Sequence, residues 1–152
     1  MPQAAAATDG QDMNGPPQKS TLLYIEDDDT AVFLLQTALR DLADGQIELV
    51  RARNGEEALA RLQRAAPFAD AARPDLILLD LNLPRKGGLE LLAELCGDAN
   101  LASIPVVIFS SSSLQADRAR SLELGARDYI LKPLTFPGFV DAVRAACRWL
   151  PK

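Results

Sequence analysis

Short apolar runs alternate with amphipathic stretches along most of the chain. The apolar runs read TLLYIE, IELVRA, DLILLD, IPVVIFS and RDYIL, and they begin at positions 21, 47, 75, 104 and 127. Stretches with helical spacing follow them in turn, at positions 29–43, 55–65, 88–98, 115–125 and 136–150. Short continuous apolar runs are typical of buried strands, and apolar residues three or four positions apart are typical of helices. The pattern therefore predicts five strand–helix pairs.

This alternation indicates the class of fold. Strands that are joined by helices run parallel and are covered on both faces of the sheet. Right-handed crossovers then limit the arrangement to a doubly wound sandwich. We predict an α/β fold in which a doubly wound, five-stranded parallel sheet carries five helices, and we expect it over residues 20–152. Residues 1–19 are small, polar and interrupted by Pro and Gly, and this composition predicts a disordered tail.

The composition excludes several kinds of chemistry. The 152 residues include no histidine, which rules out Ser-His-Asp and Cys-His catalysis and every zinc site that uses histidine. A net charge of −5 argues against a nucleic-acid surface. No apolar run approaches the ~20 residues of a membrane span, and no secretory signal pattern is visible. Cys96 and Cys147 are isolated and fit buried thiols, so we expect a cytoplasmic location.

Polar and charged residues follow the predicted strands. They are Glu26, Asp27 and Asp28 after the first strand, Asp80 at the end of the third, Ser110 after the fourth and Lys132 after the fifth. The carboxyl ends of parallel strands form the site-bearing edge of this fold. Carboxylates that converge there repel one another unless a cation such as Mg²⁺ lies between them. Asp80 is then a candidate nucleophile for a phosphoryl group, which Lys132 and Ser110 would contact.

In this order the residues resemble the receiver domain of two-component response regulators. The resemblance covers about residues 20–150, and its motifs are Glu26-Asp27, LLDLNLP around Asp80, Ser110 after IPVVIF, Tyr129, and Lys132-Pro133. It implies the flavodoxin-like strand order 2-1-3-4-5. It also implies a receiver domain over residues 20–152 that acts in signalling and assists only its own phosphorylation and dephosphorylation.

The resemblance assigns a phosphoacceptor and a metal site. Asp80 would accept the phosphoryl group, and Glu26 and Asp27 would form an acidic pocket beside it. Mg²⁺ would be bound by the side chains of Asp27 and Asp80, by the backbone carbonyl of Asn82 and, through water, by Glu26. Glu26 occupies a position where the family more often has Asp.

The resemblance also assigns a switch. Ser110 and Tyr129 would be the switch pair, in which Tyr129 rotates inward once Ser110 moves toward the phosphate. Lys132 would bind the phosphate, with a cis peptide bond before Pro133. Within the run of serines at positions 110–113, only Ser110 is assigned a role. The switch would act on the surface formed by helix 4, strand 5 and helix 5.

The resemblance implies partners as well. The phosphoryl donor would be a sensor histidine kinase. The loop at 67–74, the phrase DLNLPRKGG and the C-terminal RWLPK are similar to small stand-alone regulators that partner bacterial phytochrome kinases, so the narrower expectation is a bacteriophytochrome. Trp149 and its apolar neighbours in the last helix predict a homodimer through helix 4, strand 5 and helix 5. We expect no contact with nucleic acid or membrane.

Two other classes of function stay open. One is an enzyme, either a flavin binder or an aspartyl-phosphate phosphatase. A flavin site would need a hydroxyl- and glycine-rich phosphate loop after the first strand, where this chain has Glu-Asp-Asp-Asp. A phosphatase of this kind would need an acid two residues beyond Asp80, and position 82 is Asn. The other class is a receiver-like scaffold that is not phosphorylated.

Overall fold

The ten predicted strands and helices are all present in this computed structural model, which describes residues 19–43 and 45–151. The strands are β1 (Ser20–Ile25), β2 (Ile47–Ala52), β3 (Leu76–Leu79), β4 (Val106–Ser110) and β5 (Asp128–Leu131). The helices are α1 (Asp29–Ala43), α2 (Gly55–Leu62), α3 (Gly88–Gly97), α4 (Gln115–Leu124) and α5 (Phe136–Cys147). The predicted tail lies outside the described residues, apart from its last residue, Lys19.

The strands form one parallel sheet in the order β2-β1-β3-β4-β5. This confirms the predicted fold class and strand order. The helices α2 and α5 each end three residues earlier than the sequence pattern predicts. After α2, Arg64 adopts a left-handed backbone conformation with φ of 56°. After α5, Arg148 caps the helix three residues before Pro151, which disfavours helical conformation in the residue before it.

The core lies on both faces of the sheet. On β1, Leu23 and Ile25 face a cluster that includes the apolar side of α3, and Leu22 and Tyr24 face a cluster between α1 and α5. Neighbouring residues of β1 therefore contact different helices, and each is buried. This explains why the strands are continuously apolar instead of alternating. No helix in the described part of the chain is long and apolar enough to span a membrane.

The register of the strands brings their carboxyl ends together at one edge. Ile25 pairs with Leu79 across β1 and β3, so that the residues after them, Glu26 and Asp80, leave the sheet side by side. The loop after β3 then turns back sharply, with the backbone N–H of Gly88 donating to the carbonyl of Leu81 at 3.2 Å. A Cβ atom at position 88 would lie 2.5 Å from the Leu81 Cα. Only glycine therefore fits at the start of α3.

Candidate functional site

The side chain of Lys132 joins two buried carboxylates at this edge. Its Nζ lies 2.5 Å from Oε1 of Glu26 and 3.3 Å from Oδ2 of Asp80. Glu26 is 1% exposed and Asp80 is 5% exposed, whereas the lysine remains partly accessible from outside. Two buried carboxylates this close would repel each other strongly without a counter-charge. Lys132 supplies that charge, so three residues that the sequence analysis selected form one ionic cluster.

The protonation equilibria of this cluster are shifted by burial and by charge. Burial raises the pKa of Glu26, and Asp80 raises it further, although Lys132 and the N–H of Asp28 act in the opposite direction. Burial lowers the pKa of Lys132, but the two carboxylates outweigh it and the net pKa is raised. The phenol of Tyr24, which donates to Glu26 at 3.2 Å, has a raised pKa because of burial and that carboxylate. The lysine therefore stays positively charged at neutral pH.

The loop after β1 is tied down by Arg51 of β2. Arg51 Nε donates to the carbonyl of Glu26 and its NH2 donates to the carbonyl of Asp27, each at 2.9 Å. Its NH1 also lies 2.7 Å from Oδ1 of Asp29, and the pair holds the pKa of that carboxyl below its usual value. Asp28 accepts from the N–H of Thr30 at 3.0 Å and so begins α1. Arg51 has no predicted role, because nothing in the sequence places it beside this loop.

The predicted metal ligands have the right chemistry for a hard cation. Asp80 Oδ1 accepts a hydrogen bond from the N–H of Asn82 at 3.2 Å, while the side chain of Asp27 is exposed. Carboxylate and carbonyl oxygens are the ligands that Mg²⁺ prefers. Among residues 19–43 and 45–151, no three acidic, histidine or cysteine side chains are already grouped closely enough to hold a metal. The oxygen donors therefore fit Mg²⁺ chemically. The Asp27 side chain lies outside the cluster that Glu26 and Asp80 form with Lys132.

The predicted switch residues lie beside the acidic cluster. Ser110 is fully buried at the end of β4, and its carbonyl accepts from the N–H of Lys132 at 2.8 Å. Tyr129 is 7% exposed, and its hydroxyl donates to the carbonyl of Ser112 at 2.7 Å. The Tyr129 ring is therefore buried in this structure, and its hydroxyl is bonded to the backbone of the loop after β4.

One residue of the serine run was assigned too small a role, and one peptide bond was predicted wrongly. Ser112 also donates its N–H to the hydroxyl of Ser110 at 3.2 Å, so Ser110 is not the only serine of the run with a structural part. The peptide bond before Pro133 is trans, and the cis bond of the described residues precedes Pro67 instead. The Lys132 backbone is held by its pairing with Ser110, which needs no cis bond to aim the side chain into the pocket.

Comparisons with known proteins agree with this geometry. Residues 22–144 match the response regulator receiver domain family. Response regulator Rcp1 of Synechocystis sp. is 38% identical over 121 residues, which is 80% of this chain and 80% of Rcp1. The phosphorylated cyanobacterial phytochrome response regulator RcpA has a similar structure, with a TM-score of 0.81, 37% identity, and coverage of 87% of this chain and 94% of RcpA. The Mn²⁺-bound form of Rcp1 has a TM-score of 0.79 at 33% identity, covering 88% of this chain and 99% of that chain.

These findings confirm the resemblance to receiver domains, including its narrower form, since the similar structures include a phytochrome response regulator. Receiver domains are signalling domains of two-component systems rather than conventional enzymes. The family match covers most of the chain, and Glu26, Asp80 and Lys132 lie together at the edge of the sheet. The chain therefore belongs to the response regulator receiver domain family.

Proposed function

We propose that this chain accepts a phosphoryl group on Asp80 and that the new charge changes its surface. The observation that carries the proposal is the contact of Lys132 with both Asp80 and Glu26. It shows a buried carboxylate with a positive partner in place, at the end of a strand that fixes its position. A phosphoryl group on Asp80 would add charge where Lys132 can compensate for it.

Most of the transfer step is positioning and charge neutralisation. The phosphoryl group would come from a phosphohistidine of a sensor histidine kinase, and an oxygen of Asp80 would attack phosphorus in line with the leaving nitrogen. Mg²⁺, bound by Asp27, Asp80 and the Asn82 carbonyl and by Glu26 through water, would neutralise the phosphoryl oxygens. Lys132 orients one oxygen of Asp80 toward itself at 3.3 Å and would keep its ammonium beside the product. The Ser110 hydroxyl would donate to the phosphoryl group.

We propose a bacteriophytochrome as the kinase. The support is similarity, because RcpA is a phytochrome response regulator and is 37% identical to this chain. Such a donor would place the chain in the cytoplasm, where the catalytic part of the kinase has access to ATP. Reconstitution with a purified bacteriophytochrome, in red and in far-red light, would test this assignment separately from the phosphoacceptor itself.

The phosphoacceptor is tested with a small acyl phosphate and Mg²⁺. Intact-mass analysis of the wild type should show one added phosphoryl group, and EDTA should abolish the reaction. Asp80→Asn should show none, while Asp70→Asn, which changes an exposed carboxylate of a distant loop, should react like the wild type. Equal modification of Asp80→Asn would refute the assignment. A wild type that is never modified would favour the scaffold alternative, and continuous release of inorganic phosphate would favour the phosphatase.

We also propose that a second copy of this chain covers the face formed by α4, β5 and α5. Leu122 on α4 and Leu131 on β5 are 40% and 48% exposed on this side of the molecule. Two-fold dimers bury one patch against itself, and exposed apolar side chains suit such a contact. Trp149, on which the sequence expectation rested, does not carry this proposal. It packs half-buried against the α1–α5 side of the core, and its Nε1 is shielded from solvent without a hydrogen-bond partner.

A further inference from the structure

Ser112 connects three parts of the molecule through three different groups. Its N–H donates to the hydroxyl of Ser110 at 3.2 Å. Its carbonyl accepts from the hydroxyl of Tyr129 at 2.7 Å. Its own hydroxyl donates to Oδ2 of Asp117, in the first turn of α4, at 2.5 Å. Ser112 therefore contacts both residues of the switch pair and the helix that follows them.

The helix that Ser112 contacts is held to the rest of the molecule by few side chains, among them Arg118, whose NH1 donates to the carbonyl of Tyr129 at 3.2 Å. Ser121 is the buried residue of α4, so the helix contributes few apolar side chains to the core. Its N-cap residue, Leu114, has no side chain that can accept from the free N–H groups of the first turn. The Ser112 hydroxyl replaces that cap in part, since it accepts from the N–H of Leu114 at 3.4 Å. The Asp117 carboxylate adds favourable charge at the same end of the helix.

The hydroxyl of Ser110 can serve two partners at once. A hydroxyl has one proton to donate and two lone pairs that accept. Ser110 can therefore donate to a phosphoryl group on Asp80 while it continues to accept from the N–H of Ser112. If Ser110 turned toward Asp80 and kept this hydrogen bond, Ser112 would move with it. Because Ser112 also holds Tyr129, both switch residues act on the same four-residue loop, 111–114.

We propose that Ser112 is a positioning residue that transmits the state of Ser110 and Tyr129 to the N-terminus of α4 through its hydrogen bond to Asp117. The inference rests on the proposed function, because it needs Asp80 to receive a phosphoryl group or its analogue. It assigns a role to the serine run that the switch pair alone leaves unexplained. Ser111 and Ser113, the neighbours of Ser112 in that run, are exposed.

The test compares amide NMR spectra of α4 in the full chain with Mg²⁺, with and without beryllofluoride. In Ser112→Ala, Asp80 should still bind beryllofluoride, but the ratio of switched to unswitched α4 should fall about fivefold, the effect of one hydrogen bond of about 1 kcal/mol. Asp117→Ala should give a similar loss, and the double variant should lose clearly less than the sum of the two, because both changes remove the hydrogen bond between Ser112 and Asp117. Ser112→Thr keeps the hydroxyl and should retain the wild-type response. Ser113→Ala is the matched control.

The outcomes separate this inference from the proposed function. Fluorine NMR reports bound beryllofluoride independently of any change in α4. If the wild type binds no beryllofluoride and takes no phosphate, the proposed function fails and this inference falls with it. If beryllofluoride binds and α4 responds equally in Ser112→Ala and the wild type, the proposed function stands and the role of Ser112 is refuted. Additive effects in the double variant would also refute it, since the two side chains would then act separately.

Discussion

Arg51 Nε lies 2.9 Å from the carbonyl oxygen of Glu26, although 25 residues separate the two in the chain. The same guanidinium holds the carbonyl of Asp27, so the loop that bears the acidic pocket is fastened to β2. Residues that orient metal ligands through hydrogen bonds commonly change metal affinity by about 10- to 100-fold when they are replaced. Arg51 would therefore support a metal site at this loop without contacting the ion.

Replacing Arg51 should weaken the binding of divalent metal. We expect Arg51→Met to bind Mn²⁺ about tenfold more weakly, because the loop loses the donors that fix it. Electrostatics alone would give the opposite sign, since the variant removes a positive charge near the metal. Arg53→Met is the control, because Arg53 contacts Asp29 at 3.4 Å from an exposed position and does not hold the loop backbone. Electron paramagnetic resonance of free Mn²⁺ measures the Mn²⁺ affinity of both variants. Stronger or unchanged binding in Arg51→Met would contradict the proposed role of Arg51 in fixing the loop.

Replacing Lys132 should separate phosphorylation from switching. Lys132→Ala should still accept a phosphoryl group on Asp80, because Mg²⁺ supplies most of the charge neutralisation for transfer. It should fail to switch, because the side-chain contact with Asp80 is lost. The backbone hydrogen bond from residue 132 to Ser110 remains, but it is then no longer connected to Asp80 through the lysine side chain. The measurement is the change in α4 amide shifts on adding beryllofluoride. Lys86→Ala, which removes a lysine that pairs with Glu94 on α3, is the control. A full wild-type change in Lys132→Ala would show that the coupling role is wrong.

Gly88 should be far less replaceable than its neighbour. An added Cβ at position 88 would lie 2.5 Å from the Cα of Leu81 and 2.8 Å from the carbonyl oxygen of Asp80, and both are backbone atoms that cannot move aside cheaply. We expect Gly88→Ala to lower the free energy of unfolding by about 3 kcal/mol or more. A Cβ at Gly87 meets nothing within 4 Å, so Gly87→Ala should change stability by about 1 kcal/mol or less. Urea unfolding curves compare the two, and similar losses would contradict this account.

The strand ends show how far the sequence could predict the site. Glu26, Asp80, Ser110 and Lys132 were selected because parallel strands end at one edge, and the register of the sheet brings them there. The role of Arg51 was not predictable in this way, because Arg51 lies within β2, before the strand ends, and its contacts depend on where a long side chain reaches.

The contacts made by loops and the ends of helices could not be predicted from the sequence pattern. The hydrogen bonds of Ser112 depend on the path of a loop, and nothing in a run of four serines distinguishes the one that bonds to Asp117. Helix ends were misplaced by a few residues for the same reason. The pattern of apolar residues continues beyond Leu62, whereas the backbone leaves the helix through the left-handed conformation of Arg64.

The thiol of Cys147 should react slowly at neutral and mildly alkaline pH. Burial raises its pKa from 9.0 to about 11. Since the thiolate is the nucleophile, alkylation by iodoacetamide at pH 8 should be about 100-fold slower in the folded chain than in urea. Peptide mass mapping distinguishes this site from Cys96. Burial also raises the pKa of the Cys96 thiol. Equal rates at Cys147 in the folded and unfolded chain would contradict the burial.

The raised pKa of Cys147 also predicts how the free energy of unfolding changes with pH. The folded state holds the Cys147 proton more tightly than the unfolded state does. The contribution of this thiol to the free energy of unfolding is therefore complete below pH 9.0 and is lost as the pH rises toward about 11. The wild type should therefore lose stability across this window relative to Cys147→Ala, in which other titrating groups are unchanged. Urea unfolding of both proteins at the two ends of the window checks it. A constant difference would mean that the thiol does not titrate differently on folding.

The last prediction concerns the proposed dimer. Leu131 is 48% exposed on β5, an edge strand, and Leu122 is 40% exposed on the neighbouring α4. Around them, Arg120 pairs with Glu123 and Arg148 pairs with Asp128, so the apolar residues are surrounded by charges of both signs that a two-fold axis can bring opposite each other. We expect Leu131→Ser to weaken self-association about tenfold, because it removes apolar surface that the partner copy would cover.

Light scattering over a concentration series, with and without beryllofluoride, measures this association. Phe33→Ser is the matched control, because Phe33 is 61% exposed on α1, outside the α4-β5-α5 face, and its loss should leave the association constant unchanged. An equal effect of both substitutions would indicate nonspecific apolar contact. A wild type that stays monomeric at high micromolar concentration in both states would refute the proposed dimer.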